Sequence, residues 1–361
     1  MIDLIQNKEG EARQLMESVL RDGSPLGPEY PLVFGQESSG SLIAIGEGEV
    51  VQSACTILAR EFRAGDTRVR GGMIGSVSTA PELRGRGLAT RTIIEAEARL
   101  QIDGCAFVLL WGEEPSFYLK RGYSPAGVEH DFLLNPEVTS LLPASDGVRE
   151  VTEADVPVLH SLYSRHSSRI ERTVEEMAEM LTSPGMTVLV NEVDGEVVAY
   201  AVRGRGVDLQ EAIHEWGGEP QGLLPIVRAH LELGLSQGLQ GLILMVPSSA
   251  TDLRCELGSL GIQEHTGILG LGKILDRVAT AKLIDECLGD AGTCELISTE
   301  AGERFQISGP NDAGVVDDGG AMALLFPTVD VRPAVEQFLA RFGFQESDLP
   351  LSLFAWGLDS I

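Results

Sequence analysis

The sequence is poor in the residues that build disulfide frameworks and metal centres. Its 361 residues include five cysteines and six histidines. The cysteines are odd in number, scattered and mostly set in apolar runs, and the histidines show no ligand spacing. This pattern predicts buried thiols in a reducing compartment, and it argues against both a disulfide-bonded scaffold and a bound metal.

Long apolar runs and an excess of basic residues are also missing. No apolar run reaches membrane-spanning length, and no signal-peptide pattern opens the sequence, which predicts a cytoplasmic protein without a membrane partner. Acidic residues outnumber basic ones by 54 to 27, for a net charge of −27. Because nucleic-acid phosphates repel such a surface, a nucleic-acid partner is disfavoured. An acidic cleft that steers cationic substrates and a merely solubilising acidic surface both fit this charge.

A glycine-rich loop is present, but it lacks the features of two common nucleotide-binding motifs. Residues 73–77 predict a strand, and an amphipathic helix that ends at Gly104 follows the segment Arg84-Gly85-Arg86-Gly87-Leu88-Ala89. The segment has neither the Gly-Lys-Ser/Thr of a P-loop nor the three glycines of a dinucleotide loop. Unpaired N–H groups at a helix N-terminus favour an anion, and glycines let the backbone approach it. The loop therefore predicts a diphosphate site, with an ordinary turn as the alternative.

A second motif strengthens the first. Residues 105–111 predict a buried strand, and Phe117-Tyr118-Leu119-Lys120-Arg121-Gly122-Tyr123 follows it. Together with the Arg-x-x-Gly-x-Ala spacing of the loop, this segment resembles the GCN5-related N-acetyltransferases (GNAT). In that family the first motif wraps the pyrophosphate of acetyl-CoA, and the second forms the helix after the fifth strand. The resemblance implies an acetyl-CoA-dependent N-acetyltransferase that uses no metal.

The resemblance also implies a set of acetyl-CoA contacts. Main-chain N–H groups near Val77 would hold the acetyl carbonyl, with Ser78 and Thr79 beside the pantetheine arm. Alternatively, the side chains of Ser78 and Thr79 are ordinary strand residues. The pyrophosphate would be held by Arg84, Gly85, Arg86, Gly87, Leu88, Ala89 and Thr90. For Glu113 and Glu114 two interpretations stay open, since they either line this site or cap the helix that begins near Pro115.

Tyr118 is the strongest candidate for a catalytic side chain. Attack of an amine on a thioester expels a thiolate, and a tyrosine hydroxyl near the sulfur can protonate it. The alternative is an aromatic ring packed in the core, which is our interpretation of Phe117. Residues 73–79 contain no carboxylate that could act as the base.

The order of predicted elements repeats along the chain, which predicts an α+β fold in three domains. Residues 1–148 form the catalytic domain, residues 149–272 a degenerate GNAT-like copy that opens with a capping box at Thr152 and Asp155, and residues 273–361 a small α+β domain. In this last domain we expect a hairpin of residues 294–297 with 304–307, and loops at 311–314 and 317–320. The second copy has Glu219 where a diphosphate would lie, so we expect no cofactor there. Its acids Glu211, Glu215 and Glu219 either line a substrate cleft or are surface charges.

The full order resembles the Eis-type (enhanced intracellular survival) N-acetyltransferases. Matching segments are 77–81, 84–89 and 118–126. Those enzymes join tandem GNAT-like mixed-sheet domains to a sterol-carrier-like domain, and they assemble as hexamers, which implies a homo-oligomer here. The family's general base is the terminal carboxylate, here that of Ile361. Alternatively, the tail is only structural and the amine arrives deprotonated.

The resemblance implies a cationic small-molecule acceptor of the aminoglycoside or polyamine class. Two other functions stay open: transfer to an amine of a protein or peptide, and a non-catalytic sensor that binds acyl-CoA. The sequence does not distinguish an acetyl donor from a longer acyl donor.

Overall fold

The computed structural model describes residues 2–4, 8–35, 39–112, 114–344 and 349–361. None of the helices in these ranges is long and apolar enough to cross a membrane. The chain divides into two compact units. Unit 1 comprises Met1–Gly127, Ile268–Leu351 and Ile361, and unit 2 comprises Val128–Gly267 and Ser352–Ser360. The three-domain division and its boundaries stay a prediction.

Strands and helices alternate along the chain, and the fold is a mixed α+β structure as predicted. The strands are β1 Ile2–Leu4, β2 Ser41–Glu47, β3 Val50–Ala64, β4 Thr67–Thr79, β5 Phe107–Leu110, β6 Ser124–Leu134, β7 Val148–Glu150, β8 Ser168–Ile170, β9 Thr187–Val193, β10 Glu196–Arg205, β11 Asp208–Gly218, β12 Leu242–Pro247, β13 Glu264–Ile274, β14 Thr293–Thr299, β15 Gly302–Ser308 and β16 Ala313–Val316. The helices are α1 Glu9–Leu20, α2 Pro31–Phe34, α3 Leu88–Ile102, α4 Pro115–Leu119, α5 Val156–Tyr163, α6 Val174–Met180, α7 Pro220–Ser236, α8 Thr251–Ser259, α9 Arg277–Leu288, α10 Asp318–Leu325 and α11 Arg332–Phe342.

Unit 1 is built on a mixed sheet with α3 packed against it. Strands β1 to β4 pair antiparallel in chain order, β5 pairs parallel to β4, and β13 pairs antiparallel to β5. The helix buries the face predicted from its spacing, since Ile93, Ala96 and Leu100 are at most 1% exposed. Leu100 packs over Gly72 of β4, where a Cβ would come within 2.7 Å of its Cδ1. This packing holds α3 against β4.

A second, three-stranded sheet in unit 1 comes from the C-terminal part of the chain. Strands β14, β15 and β16 pair antiparallel, which confirms the predicted hairpin of 294–297 with 304–307. Two predicted loops were wrong in part. Of the loop expected at 311–314, residues 313 and 314 belong to β16. The loop expected at 317–320 is the start of α10, where the side chain of Asp317 accepts a hydrogen bond from the N–H of Gly320. The sterol-carrier character of this region stays a prediction.

The strands of unit 2 also pair in a mixed arrangement. Strands β7, β9, β10 and β11 pair antiparallel in that order, β12 pairs parallel to β11, and β6 pairs antiparallel to β12. The expected capping box is present, because Asp155 accepts hydrogen bonds from the backbone N–H and the hydroxyl of Thr152. The tandem mixed-sheet architecture predicted from the repeated order of elements is confirmed.

Candidate active site

The end of β4 separates from its parallel neighbour. Pairing with β5 covers only Gly71–Ile74, although β4 continues to Thr79. On the other side of β4, Thr56 pairs with Gly75 and Ala54 pairs with Ser78. One residue of β3 therefore faces two residues of β4, which is a β-bulge at Ser76 and Val77. The bulge bends the strand and leaves its last residues free of β5.

The predicted phosphate loop joins this strand end to α3. Gly85 and Gly87 have φ angles of 76° and 81°, in the left-handed region that favours glycine. A Cβ at either position would meet no atom within 4 Å, so the backbone of the loop is open to a ligand. Arg84 and Arg86 are exposed on the same loop. The arrangement places open backbone and two cations before the N-terminus of a 15-residue helix.

Buried hydroxyl groups connect the end of β4, which precedes the loop, to α3, which follows it. The Thr92 hydroxyl donates to Ser53 Oγ at 2.8 Å, and Ser53 in turn lies 2.9 Å from both the carbonyl oxygen of Ser78 and Thr79 Oγ1. The Ser78 side chain is 1% exposed, and its hydroxyl donates to the carbonyl of Ser76. The side chain of Ser78 therefore supports the bulge from within the strand pair.

A cavity of about 800 Å³ brings most of the predicted residues together. We call it the site cavity. Ten of the residues that the sequence predicted for the site line this cavity: Val77, Thr79, Arg84, Gly85, Gly87, Leu88, Ala89, Thr90, Glu114 and Tyr118. Three predicted contacts, Ser78, Arg86 and Ile361, are not among its lining residues, and Glu113 lies outside the described residues. The sequence reasoning missed five others, which are Val19, Leu20, Leu83, Phe117 and Arg121.

Tyr118 borders this cavity from α4 and is 8% exposed. Its ring makes edge contacts with Phe117 and Tyr123, with centroids 5.0 and 5.8 Å away. It also packs on Gly112, where a Cβ would come within 2.5 Å of the ring. Burial raises the pKa of Tyr118 above its ordinary value, so the phenol stays protonated at neutral pH. The arrangement presents a fixed proton donor at the cavity wall.

Comparison with known proteins agrees with this geometry. Residues 33–126 match the family model described as an acetyltransferase (GNAT) domain. Residues 33–126 are thus similar to a GNAT domain, as the two sequence motifs predicted. No curated protein matches the sequence.

Several solved structures share the fold. A GCN5-related N-acetyltransferase from Anabaena variabilis is 15% identical with a TM-score of 0.66, and the match covers 100% of both chains. A GCN5-related N-acetyltransferase from Kribbella flavida is 15% identical with a TM-score of 0.65, over 100% of this chain and 98% of that one. Eis1 from Mycobacterium abscessus is 13% identical with a TM-score of 0.56, over the same shares. At these identities the matches establish a common fold.

Arg121 is the most informative residue that the sequence reasoning missed in the GNAT domain. Its Nε donates to the hydroxyl of Thr90 at 3.0 Å, and its Nη1 donates to the carbonyl of Phe117. The guanidinium also lies 3.5 Å from the centroid of the Phe117 ring. A cation from α4 is thereby held against the first turn of α3. The contact spans 31 residues of sequence, so no local pattern could have revealed it.

Glu114 lies both at the cavity and at a helix end. It occupies the N-cap position of α4, with Pro115 as the first helical residue, but its side chain makes no capping hydrogen bond. Its presence in the lining of the site cavity agrees with the first of the two interpretations that the sequence left open.

The C-terminal residue lies against β4 of the GNAT domain. A Cβ at Gly75 would overlap the terminal carboxyl group of Ile361 and would lie 3.0 Å from its Cγ1. Gly75 is the residue just beyond the β4–β5 pairing. The absence of a side chain at this position makes room for the terminus at the point where the two strands separate.

Unit 2 repeats this strand separation, but aromatic side chains occupy part of it. Strand β11 pairs with β12 only at Ala212 and Ile213, although it continues to Gly218. Trp216 Nε1 donates to the carbonyl of Met245 at 3.0 Å, across the unpaired stretch. The ring of His166 and the fully buried ring of Trp356 pack on Trp216, with centroids 4.8 and 5.3 Å from it.

The acids of unit 2 have different environments. Glu215 is fully buried and makes a bidentate ion pair with Arg172, at 2.7 and 2.9 Å, so its interpretation as a surface or cleft residue was wrong. Arg172 also donates to Asp359 at 2.8 and 3.0 Å. Glu211 and Glu219 are exposed, and Glu219 is the single residue between β11 and α7, at the N-cap position of that helix.

Proposed function

We propose that the GNAT domain transfers an acetyl group from acetyl-CoA to a primary amine of a cationic small molecule of the aminoglycoside or polyamine class. The observation that carries the proposal is that the open glycine loop, the end of β4 and Tyr118 line one cavity. We infer the class of the acceptor and a homo-oligomeric assembly from the resemblance to Eis-type enzymes. The net charge of −27 favours a cationic acceptor, because it steers such molecules toward the protein.

The residues of the site cavity fit acetyl-CoA, which supplies the acetyl group as a thioester. Gly85 and Gly87 offer backbone without a Cβ, and Arg84 and Arg121 offer positive charge for the diphosphate. The bulged end of β4, which β5 does not pair, offers main-chain groups to an extended arm. Backbone N–H groups near Val77 would donate to the thioester carbonyl.

Two groups of the chain accept and donate protons in this proposal. The Ile361 carboxylate accepts a proton from the attacking amine, since β4 carries no acidic side chain that could do so. Tyr118 holds a proton on its hydroxyl and donates it to the departing sulfur. Gly75 leaves the space in which the terminus lies, which supports this role for Ile361.

The proposal is tested by thiol release from acetyl-CoA with aminoglycosides, polyamines and basic peptides as acceptors. We expect turnover on multi-amine small molecules and a fall in kcat of about 100-fold in Tyr118→Phe, because the general acid is lost. Tyr123→Phe is the matched control, since this neighbouring ring does not line the site cavity, and it should keep kcat.

The same assay separates the alternatives. Turnover only on peptides would identify a peptide acetyltransferase, and acetyl-CoA binding without turnover on any acceptor would identify a sensor. Removal of Ile361 should lower kcat and leave the KM for acetyl-CoA unchanged. Unchanged kcat in that variant would exclude the terminal carboxylate as the base.

A further inference from the structure

Three polar side chains of unit 2 form a hydrogen-bonded line that acetyl transfer does not use. Ser248 directly follows β12, His130 lies in β6, and Glu264 opens β13. His130 Nε2 is 3.0 Å from Ser248 Oγ, and His130 Nδ1 is 2.5 Å from Glu264 Oε1. His130 is 5% exposed, while Ser248 is half-buried and so remains within reach of solvent.

The three side chains are arranged as in a catalytic triad, in which a histidine and a carboxylate activate a serine hydroxyl. With its proton on Nδ1, His130 donates to the Glu264 carboxylate and its Nε2 accepts from the Ser248 hydroxyl. Glu264 thereby fixes the orientation and tautomer of the imidazole, and the imidazole is placed to take the hydroxyl proton. Arg254 donates to the same carboxylate at 2.9 Å and holds it in position.

We propose that Ser248, His130 and Glu264 form a second catalytic site, which hydrolyses short-chain acyl esters through a serine-bound acyl group. Ser248 Oγ forms a bond to the ester carbonyl carbon as its proton passes to His130 Nε2. The bond from that carbon to the alcohol oxygen then breaks, and the alcohol leaves with the proton from His130. Water, deprotonated by His130, releases the acyl group as a carboxylic acid and restores the serine.

The surroundings of Ser248 suit a small acyl group. The next residues of the chain, 249–253, line a cavity of about 250 Å³. They include the first turn of α8, a nine-residue helix that begins at Thr251. The N-terminus of this helix carries partial positive charge at the wall of the cavity, which begins one residue after Ser248. The lining residues Leu162 and Leu253 give the cavity an apolar part that can hold an alkyl chain.

The experiment labels the full-length chain with a fluorophosphonate probe, which forms a covalent bond to activated serines. We expect labelling that peptide mass mapping assigns to Ser248. His130→Gln keeps the size of the side chain but removes the base, so labelling should fall at least about tenfold. Ser259→Ala, at the far end of α8, is the matched control and should label like the original chain. An unlabelled chain, or equal labelling in Ser248→Ala, overturns the proposal.

Hydrolysis of p-nitrophenyl acetate gives a second readout. The original chain and Ser259→Ala should hydrolyse it faster than Ser248→Ala and Glu264→Gln. Acetyl transfer from acetyl-CoA, measured on the same preparations, shows that each variant is folded, because the site cavity contains none of these residues. Equal ester hydrolysis in Ser248→Ala and the control, with acetyl transfer retained, would show a hydrogen-bonded structural cluster only.

Discussion

The two units place a strand end and a helix start in the same relation but use them differently. In unit 1, β4 leaves β5 after Ile74, and the gap leads to open glycines and arginines at the start of α3. In unit 2, β11 leaves β12 after Ile213, and Trp216 bridges the unpaired stretch. Both units therefore have a gap between two parallel strands. The side chains beside that gap determine whether a ligand can bind in it.

The burial of charge differs in the same way. The cations of the unit 1 loop, Arg84 and Arg86, are exposed and available to an anion. In unit 2 the guanidinium of Arg172 is fully buried between Glu215 and Asp359, and its charge is already neutralised. Unit 1 therefore keeps its positive charge for binding, while unit 2 uses positive charge inside its own core.

The largest expected effect comes from removing the buried cation of unit 2. Arg172→Leu leaves the carboxylates of Glu215 and Asp359 buried without a partner, and the free energy of unfolding should fall by about 3–5 kcal/mol. Urea unfolding followed by tryptophan fluorescence measures it, because Trp216 and Trp356 lie in the same unit. Arg228→Leu, which removes a half-exposed i,i+4 pair with Glu232, should cost under about 1 kcal/mol. Equal losses would show that the buried pair is effectively solvated.

Acid should weaken unit 2 before unit 1. All six histidines lie in unit 2, and burial lowers the pKa of His166 and His214 to about 4 and of His230 to about 3. Between these values and about 6.5 the unfolded chain binds more protons than the folded one. The contribution of these three histidines to the free energy of unfolding is thus complete above pH 6.5. It is lost as the pH falls toward 4, by about 2 kcal/mol per histidine at pH 5.

Three carboxyls of unit 2 act in the opposite direction, because burial raises the pKa of Glu129, Asp131 and Glu215. The pKa of Glu129 is raised to about 8, so acidification from pH 7 to pH 5 favours the folded state at this group and offsets roughly one histidine. The net loss of stability is therefore smaller than the sum over the three histidines. Hydrogen exchange at pH 7 and pH 5, corrected for the intrinsic rates, should show faster exchange in unit 2 only. Loss of protection in unit 1 alone would contradict this assignment.

A smaller effect, on the affinity for acetyl-CoA, is expected when an arginine of the unit 1 loop is replaced by the acidic residue type found at the same place in unit 2. Arg84→Glu puts a carboxylate beside the diphosphate site, as Glu219 does at the start of α7, and affinity for acetyl-CoA should fall at least about tenfold. Arg68→Glu is the control, because it changes the net charge equally at the far end of β4. Calorimetric titration measures both variants, and equal affinities would exclude a role for Arg84.

The sequence predicted the repeated order of elements because helix and strand periodicity are local. It also located the glycine loop, Tyr118 and the capping box at Thr152 and Asp155, each of which depends on residues within a few positions of one another. What it missed depends on distant partners. Arg121 reaches Thr90 across 31 residues, and Arg172 reaches Asp359 across 187. The loops at 311–314 and 317–320 were mispredicted because their glycines and aspartates favour turns. Pairing with β15 instead makes residues 313 and 314 part of a strand, and Asp317 caps a helix.

The most direct test of the comparison between the units is hydrogen exchange of the full chain with and without saturating acetyl-CoA. We predict new protection of backbone amides in residues 84–90 and 117–121 of unit 1, where the loop and α4 border the site cavity. Residues 217–223 of unit 2, at the gap that Trp216 bridges, should exchange at unchanged rates. Protection of residues 217–223, or none at 84–90, would contradict the conclusion that only the first gap accepts acetyl-CoA.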